Sequence, residues 1–171
     1  MRNVNHQEES VNGIIFSEDR KKILLIKRRD IPVWVLPGGG IEVEETPEEA
    51  VIREMKEETG YQVAILRKVA EYTPLNRLTR YTHLFECSII DGKVTLTSET
   101  QGVGFFPTNH LPPTPPPYPD WISDSLKDSP TLLQKPISSV TYINLFKHLL
   151  CHPILVCRFL LARLGLHIND K

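Results

Sequence analysis

Cysteine is scarce in this chain, with three among 171 residues, at positions 87, 151 and 157. That spacing makes neither a disulfide framework nor a Cys-x-x-Cys metal site, and it suits a reducing compartment. No apolar stretch lies within Met1–Glu9, so no secretory leader is expected and the cytoplasm is the expected location. Charge of one sign is lacking too. Twenty basic residues face twenty-one acidic ones, for a net charge of −1, so no nucleic acid is expected as a partner. No repeat is present. What is there is ordinary for a globular protein, with 40% apolar and 24% charged residues, which excludes a disordered chain. The length fits one domain, or one domain with an appendage.

Proline and glycine divide the chain. Seven of the fourteen prolines fall between Pro107 and Pro119, a stretch expected to form neither helix nor central strand. It reads as a polyproline-like crossing from a first part, 1–111, to a C-terminal segment, 112–171. All nine glycines but Gly165 precede it. Period-two patterning predicts strands at Val11–Phe16, Lys22–Arg28, Val33–Leu36, Gln62–Glu71, Arg80–Ile90 and Gly102–Pro107, with Asp91-Gly92-Lys93 turning a hairpin into Val94–Thr97. Thr46–Gly60 is the clearest helix. Thr46 caps it, Pro47 opens it, Glu49 completes a capping box and Gly60 stops it. Strands around one strong helix predict an α+β protein with a mixed sheet.

Chemistry concentrates on that helix. Glu54, Glu57 and Glu58 share an arc of roughly 100°, while Val51, Ile52 and Met55 hold the adjoining face. Three carboxylates so close repel one another, which costs helix stability unless something offsets it. A solvated acidic face is the plain reading of three glutamates alone. A glycine loop directly before the helix, Glu45 ahead of the cap and Arg53 inside the cluster point instead to a hard divalent cation, Mg²⁺ above all.

The stretch Gly39–Tyr61 resembles a Nudix box, G-x5-E-x7-R-E-U-x-E-E-x-G-U with U apolar, and every fixed position matches. The resemblance extends from about Val11 to Leu111, including Trp34 before Leu36-Pro37-Gly38-Gly39 and the later Phe105-Phe106-Pro107. It implies a Nudix fold, an α/β/α sandwich around a mixed β-sheet, with residues 1–111 as the catalytic core. It also implies Mg²⁺-dependent hydrolysis, Mn²⁺ being a substitute, of a pyrophosphate bond in a nucleoside diphosphate linked to another moiety. By position, Glu54 and Glu58 match the principal metal ligands, Glu57 a direct or water-mediated one, the Gly38 carbonyl a further one, and Glu99 a loop glutamate that reaches the metals. Arg53 and Glu45 match structural positions, with the Arg53 guanidinium expected to clamp Glu57 and Glu45 bidentately. Glu54, Glu57 and Glu99 are the candidate general bases.

Lys27, Arg28 and Arg29 end the second strand, where alternation lets at most one or two face phosphates; Arg28 and Arg29 are the candidate substrate contacts. ADP-ribose hydrolases of the family carry a proline about sixteen residues past the box, and dinucleoside polyphosphate hydrolases a tyrosine about seventeen or eighteen past it. Arg77 and Leu78–Thr79 stand there, so neither subclass is marked. Trp34 before Leu36-Pro37-Gly38-Gly39 favours a MutT-like nucleoside triphosphate pyrophosphatase, with ADP-ribose, nucleotide-sugar or dinucleoside polyphosphate hydrolysis as the alternative. Trp34, Tyr72, Tyr81 and Phe106 are candidate base-stacking rings whose plainer role is core packing. A nucleotide-binding module without catalysis is the reading from another class, and the full glutamate set argues against it.

From Ser129 to Asn169 no acidic residue occurs, while Lys135, Lys147, Arg158 and Arg163 are basic. Ile137–Leu150 predicts an amphipathic helix, broken by Pro153, and Ile154–Leu164 a second, apolar nearly all round. Such helices are expected to pack on their own domain or across a homodimer interface. A contact with an anionic membrane surface is the lesser reading. His148 and His152 have helical spacing but no third metal ligand.

Overall fold

The computed structural model describes residues 9–127 and 129–151, together with 154 and 161. In chain order the elements are β1 Glu9–Ile14, β2 Lys22–Arg28, β3 Trp34–Val35, β4 Gly38–Gly40, α1 Pro47–Thr59, β5 Tyr61–Thr73, β6 Tyr81–Gly92, β7 Thr100–Pro107, α2 Tyr118–Leu126, β8 Leu133–Pro136 and α3 Tyr142–Cys151. Five strands form a sheet in the order β4-β1-β6-β5-β8, and three form a second sheet in the order β3-β2-β7. The larger sheet is mixed: β1 runs parallel to β6 and β5 parallel to β8, while β4 on β1 and β5 on β6 are antiparallel. This is the α+β architecture with a mixed sheet that the patterning predicts.

Two apolar layers hold the sheets between helices. Ala50, Val51 and Met55 of α1 pack with Val11, Ile15, Leu24, Val63 and Phe85. Trp121 and Ile122 of α2, joined by Ile137, pack with Ile14, Leu25, Tyr72 and Leu84. The chain beyond Pro107 thus supplies part of the main core. Buried Glu86 pairs with Arg20 and Arg67, whose guanidinia also donate to the Ser125 carbonyl near the end of α2. Asp124 accepts from the Tyr72 hydroxyl at 3.2 Å, Lys127 at 2.9 Å and Lys135 at 2.8 Å, tying α2 to β5 and β8.

Several elements depart from the patterning. The glycine loop is a strand: Gly38–Gly40 pairs antiparallel with Asn12, Val11 and Ser10. Val94–Thr97 forms no strand, because β6 spends its length on β5 up to Gly92, and Val94 and Leu96 find no sheet face to cover them (44% and 55% exposed). The proline-rich stretch ends inside a helix, α2, since a proline in the first turn gives up no helical hydrogen bond. The C-terminal helix starts at Tyr142, not Ile137, because Leu133–Pro136 is a strand and Ile137 is buried in the core. Within α3 the side chains of Tyr142, Ile143 and Phe146 are 59%, 69% and 60% exposed. The second expected helix, Ile154–Leu164, lies outside the described residues apart from Ile154 and Leu161. Among the described residues no helix is long and apolar enough to cross a membrane.

Candidate functional site

Helix α1 is built to present its acidic face. The Thr46 hydroxyl accepts the Glu49 amide, the Glu49 carboxylate accepts the Thr46 amide, and Gly60 closes the C-terminus in the left-handed conformation. Val51 and Met55 press the adjoining face onto Gly13 of β1, which brings Glu54 and Glu58 against β4. There the glycines are required. At Gly38, where φ is 149°, a Cβ would sit 2.1 Å from the Val11 carbonyl oxygen, and at Gly39 it would sit 2.3 Å from a Glu54 oxygen and push that carboxylate off the strand.

Arg53 organises the cluster. Its Nε and Nη2 donate to the two Glu45 oxygens at 2.8 and 2.9 Å, Nη2 also to the Gly40 carbonyl at 3.0 Å, and Nη1 to Glu54 at 2.9 Å and Glu57 at 3.2 Å. The two-point grip falls on Glu45, and Glu57 receives a single contact. The hydrogen bonds from Arg53 hold Glu45 below the usual carboxylate range, and those to Glu45 and Glu54 push the guanidinium further up.

The three glutamates differ in environment. Glu58 is buried, its Oε2 accepting the Gly38 amide at 2.7 Å. Burial pushes its pKa up to about 8; the Gly38 amide opposes this, while the charges of Glu54 and Glu99 reinforce it. Glu54 is raised as well, by burial first, against the Arg53 hydrogen bond. The Glu57 side chain is 60% exposed and stands at the rim. Exposed Glu99 lies in the loop before β7, its charge felt by both Glu54 and Glu58. Among the described residues no three acidic, histidine or cysteine side chains already converge as a metal-binding group, Glu54 and Glu57 being turned onto Arg53. The donor set nonetheless suits a hard cation. Glu58 resists ionisation through burial and the charges of Glu54 and Glu99, and Glu54 through burial and the charges of Glu57 and Glu99; a bound divalent ion would relieve both.

The basic strand end divides as alternation requires. Lys27 pairs across the sheet with Trp34 and Gly102 on the face away from α1. Arg28 is held by Asp30 through Nε at 2.9 Å and Nη2 at 2.5 Å, and its charge acts on Glu58. Arg29 turns to the other loop, donating its amide to the Glu99 carbonyl at 2.9 Å and Nη2 to the Thr97 carbonyl at 3.2 Å. Of the aromatic candidates, Tyr72 is buried and stacks on Trp121, whereas Trp34 and Phe106 are half-buried and meet edge to face at 4.5 Å.

Three residues near the cluster carry no motif. Asn12 donates from Nδ2 to the Leu36 and Pro37 carbonyls at 3.3 and 3.2 Å, holding the chain just before Gly38; its one signal is a polar side chain in the apolar run Val11–Phe16. Asp30 orients Arg28. Half-buried Tyr118, which the proline-rich crossing delivers to the start of α2, lies close enough to Arg28, Glu58 and Asp30 for their charges to act on its phenol. A separate cavity of about 280 Å³, bounded by Tyr72, Trp121, Asp124, Lys127 and Lys135, contains none of the acidic residues of α1.

A mixed-sheet sandwich with one acidic helix face, glycine-floored and arginine-braced, is the class of protein that these features define. The chain belongs to the Nudix family: the NUDIX domain model matches residues 6–126. It is 38% identical over 100 residues to a putative 8-oxo-dGTP diphosphatase of Bacillus subtilis, covering 58% of this chain and 66% of that protein. It is likewise 38% identical over 113 residues to an ADP-ribose pyrophosphatase of Methanocaldococcus jannaschii, covering 63% of this chain and 66% of the relative. The chain therefore spans just under two thirds of the length of either curated relative. Among solved structures, an ADP-ribose pyrophosphatase from Streptococcus suis superposes with a TM-score of 0.62 at 28% identity, covering 76% of this chain and 98% of that one.

Proposed function

We propose that this protein is a divalent-cation-dependent pyrophosphohydrolase that splits the pyrophosphate bond of a nucleoside diphosphate linked to another moiety. The observation that carries this reading is the pairing of buried Glu58, fixed by the Gly38 amide, with Glu54, fixed by Arg53, on one helix face beside Arg28. Glu54, Glu57 and Glu58, with the Gly38 carbonyl and Glu99, are the groups that would hold the cation, Mg²⁺ or Mn²⁺ in its place. When bound it neutralises pyrophosphate charge and acidifies a water.

The chain's own residues do the rest. Arg53 holds the Glu54 rotamer and, through Glu45 and the Gly40 carbonyl, locks the helix to β4. Glu57, solvent-facing and gripped at one point only, is the carboxylate best placed to take a proton from the attacking water, with Glu54 and Glu99 as the other bases. Arg28, oriented by Asp30, keeps a fixed positive charge next to Glu58 where a phosphate oxygen would lie. Arg29 acts through the Glu99 loop. Residues 1–111 carry this chemistry, and the segment after them adds Tyr118 as a wall of the substrate site.

Within this class the substrate favoured is a nucleoside triphosphate. Trp34 before the Leu36–Gly39 segment supports it, and so does the likeness to a protein named for 8-oxo-dGTP. ADP-ribose is the second reading, favoured by the names of the Methanocaldococcus and Streptococcus relatives. One panel tests both: nucleoside triphosphates including 8-oxo-dGTP, ADP-ribose, a nucleotide sugar, a dinucleoside polyphosphate and 5′-triphosphate RNA, assayed with Mg²⁺ and with chelator. The expected result is Mg²⁺-dependent release of a nucleoside monophosphate and pyrophosphate, fastest from a triphosphate. Fastest turnover of ADP-ribose transfers the assignment to the second reading. Tight nucleotide binding without turnover of any member makes the chain a binding module.

A further inference from the structure

We propose, resting on the reading of Glu99 as a cation-holding group, that Thr100 is a positioning residue. Its buried hydroxyl becomes the hydrogen-bond donor to the Glu99 carboxylate when that carboxylate turns in toward the acidic face of α1.

Two complementary groups stand unpaired on consecutive residues. Thr100 opens β7 at 0% exposure, and its Oγ1 has no hydrogen-bond partner among the described residues. Glu99 before it is exposed, and its carboxylate makes no hydrogen bond or ion pair among them either. A buried hydroxyl without a partner costs stability that a valine of the same shape would not. Two other buried side-chain atoms lack partners among the described residues, Thr79 Oγ1 and His83 Nδ1, and neither is next to a candidate cation ligand in the chain.

The backbone around the pair is already committed. Thr97 Oγ1 accepts the Glu99 amide at 3.3 Å and the Thr100 amide at 3.2 Å. The Arg29 amide donates to the Glu99 carbonyl at 2.9 Å, and Arg29 Nη2 to the Thr97 carbonyl at 3.2 Å. Thr100 pairs with Arg28 where the β2–β7 register shifts, an irregularity of the kind that re-aims side chains beside active sites. With the loop held by these bonds, the Glu99 side chain is the part left to move, and its charge already acts on Glu54 and Glu58. A carboxylate drawn out of water toward those two loses hydrogen bonds that a donor must replace. The Thr100 hydroxyl, one residue on and uncommitted, is that donor, and it fixes the Glu99 rotamer as outer partners of metal ligands do.

The test is Mn²⁺ binding to the full chain without nucleotide, read by electron paramagnetic resonance, together with thermal melting in chelator. Thr100→Val keeps the shape and removes the hydroxyl, whereas Thr100→Ser keeps the hydroxyl. Thr100→Val is expected to melt no lower than wild type in chelator and to bind Mn²⁺ about tenfold more weakly. Thr100→Ser should recover most of that affinity. Glu99→Ala should weaken Mn²⁺ binding as well, and Thr100→Val should then add nothing to the loss, because the two residues act as one unit. A loss from Thr100→Val that is the same with Glu99 replaced overturns the proposal. Melting of Thr100→Val well below wild type overturns it too, since the hydroxyl would then have a partner in the free protein. Wild-type protein that takes up no Mn²⁺ overturns the cation-dependent reading and this one with it, whereas uptake that Thr100→Val leaves intact overturns this one alone.

Discussion

Helices α1 and α3 solve opposite problems with similar materials. Both are amphipathic, yet α1 buries Val51 and Met55 completely and turns its charges toward a groove, whereas α3 turns Tyr142, Ile143 and Phe146 outward. In α1 the cap and the acidic groups have partners within the chain: the first turn is capped reciprocally, Arg53 braces Glu45, Glu54 and Glu57, and Glu58 accepts the Gly38 amide. What remains unfavourable there is the crowding of ionisable carboxylates, and that points to a cation. In α3 the apolar side chains of Tyr142, Ile143 and Phe146 are left exposed. On α1 the functional demand is thus visible as the term that the fold leaves unbalanced.

The comparison breaks most readily at Glu58. Glu58→Gln keeps the size and removes the charge, and it should reduce turnover by about 100-fold or more while weakening Mg²⁺ activation. Turnover near wild type would remove Glu58 from the site. Arg53→Lys keeps the charge but loses the fork, and a loss of roughly 10- to 100-fold in turnover with little change in melting is expected. Unchanged kinetics would show that Glu54 and Glu45 need no brace.

Truncation on the two helices sharpens the contrast in stability. Met55→Ala empties a fully buried site against Gly13 and should cost about 2–5 kcal/mol in denaturant unfolding. Phe146→Ala, on the outward face, should change stability by no more than about 0.5 kcal/mol. Equal costs would mean that α3 is packed in solution.

The pH dependence follows from Glu58. Its folded pKa, about 8, lies above the ordinary 4.5, so the folded state binds the proton more tightly than the unfolded one. The metal-free protein therefore loses stability as pH rises from 4.5 through 8, and the stabilisation is fully present below 4.5. Thermal melting of the chelated protein across that range should show the decline, and Glu58→Gln should flatten it. A flat wild-type profile would contradict the burial of that carboxylate.

Much of this was legible before any coordinates. Capping signals delimit α1 to the residue, because Thr46, Pro47, Glu49 and Gly60 act through local backbone chemistry. The glutamate spacing places three carboxylates on one face for the same reason. What the sequence conceals depends on distant partners. Gly38–Gly40 is a strand only because β1 lies beside it. Arg28 and Arg29 look equivalent in one dimension, yet Asp30 claims the first and the Glu99 loop the second. Tyr118 reaches the acidic face because the proline-rich crossing ends in α2, and a run of prolines obscures the helix that follows. The outward turn of α3 was equally hidden, since an apolar period reports a face and not which way it points.

Product formation from the panel's best substrate, followed in Mg²⁺, then after chelation and after restoration with Mn²⁺, tests the account most directly. The account predicts cleavage of the pyrophosphate bond in Mg²⁺, its loss on chelation and its return with Mn²⁺. Cleavage that continues undiminished in chelator would contradict the account.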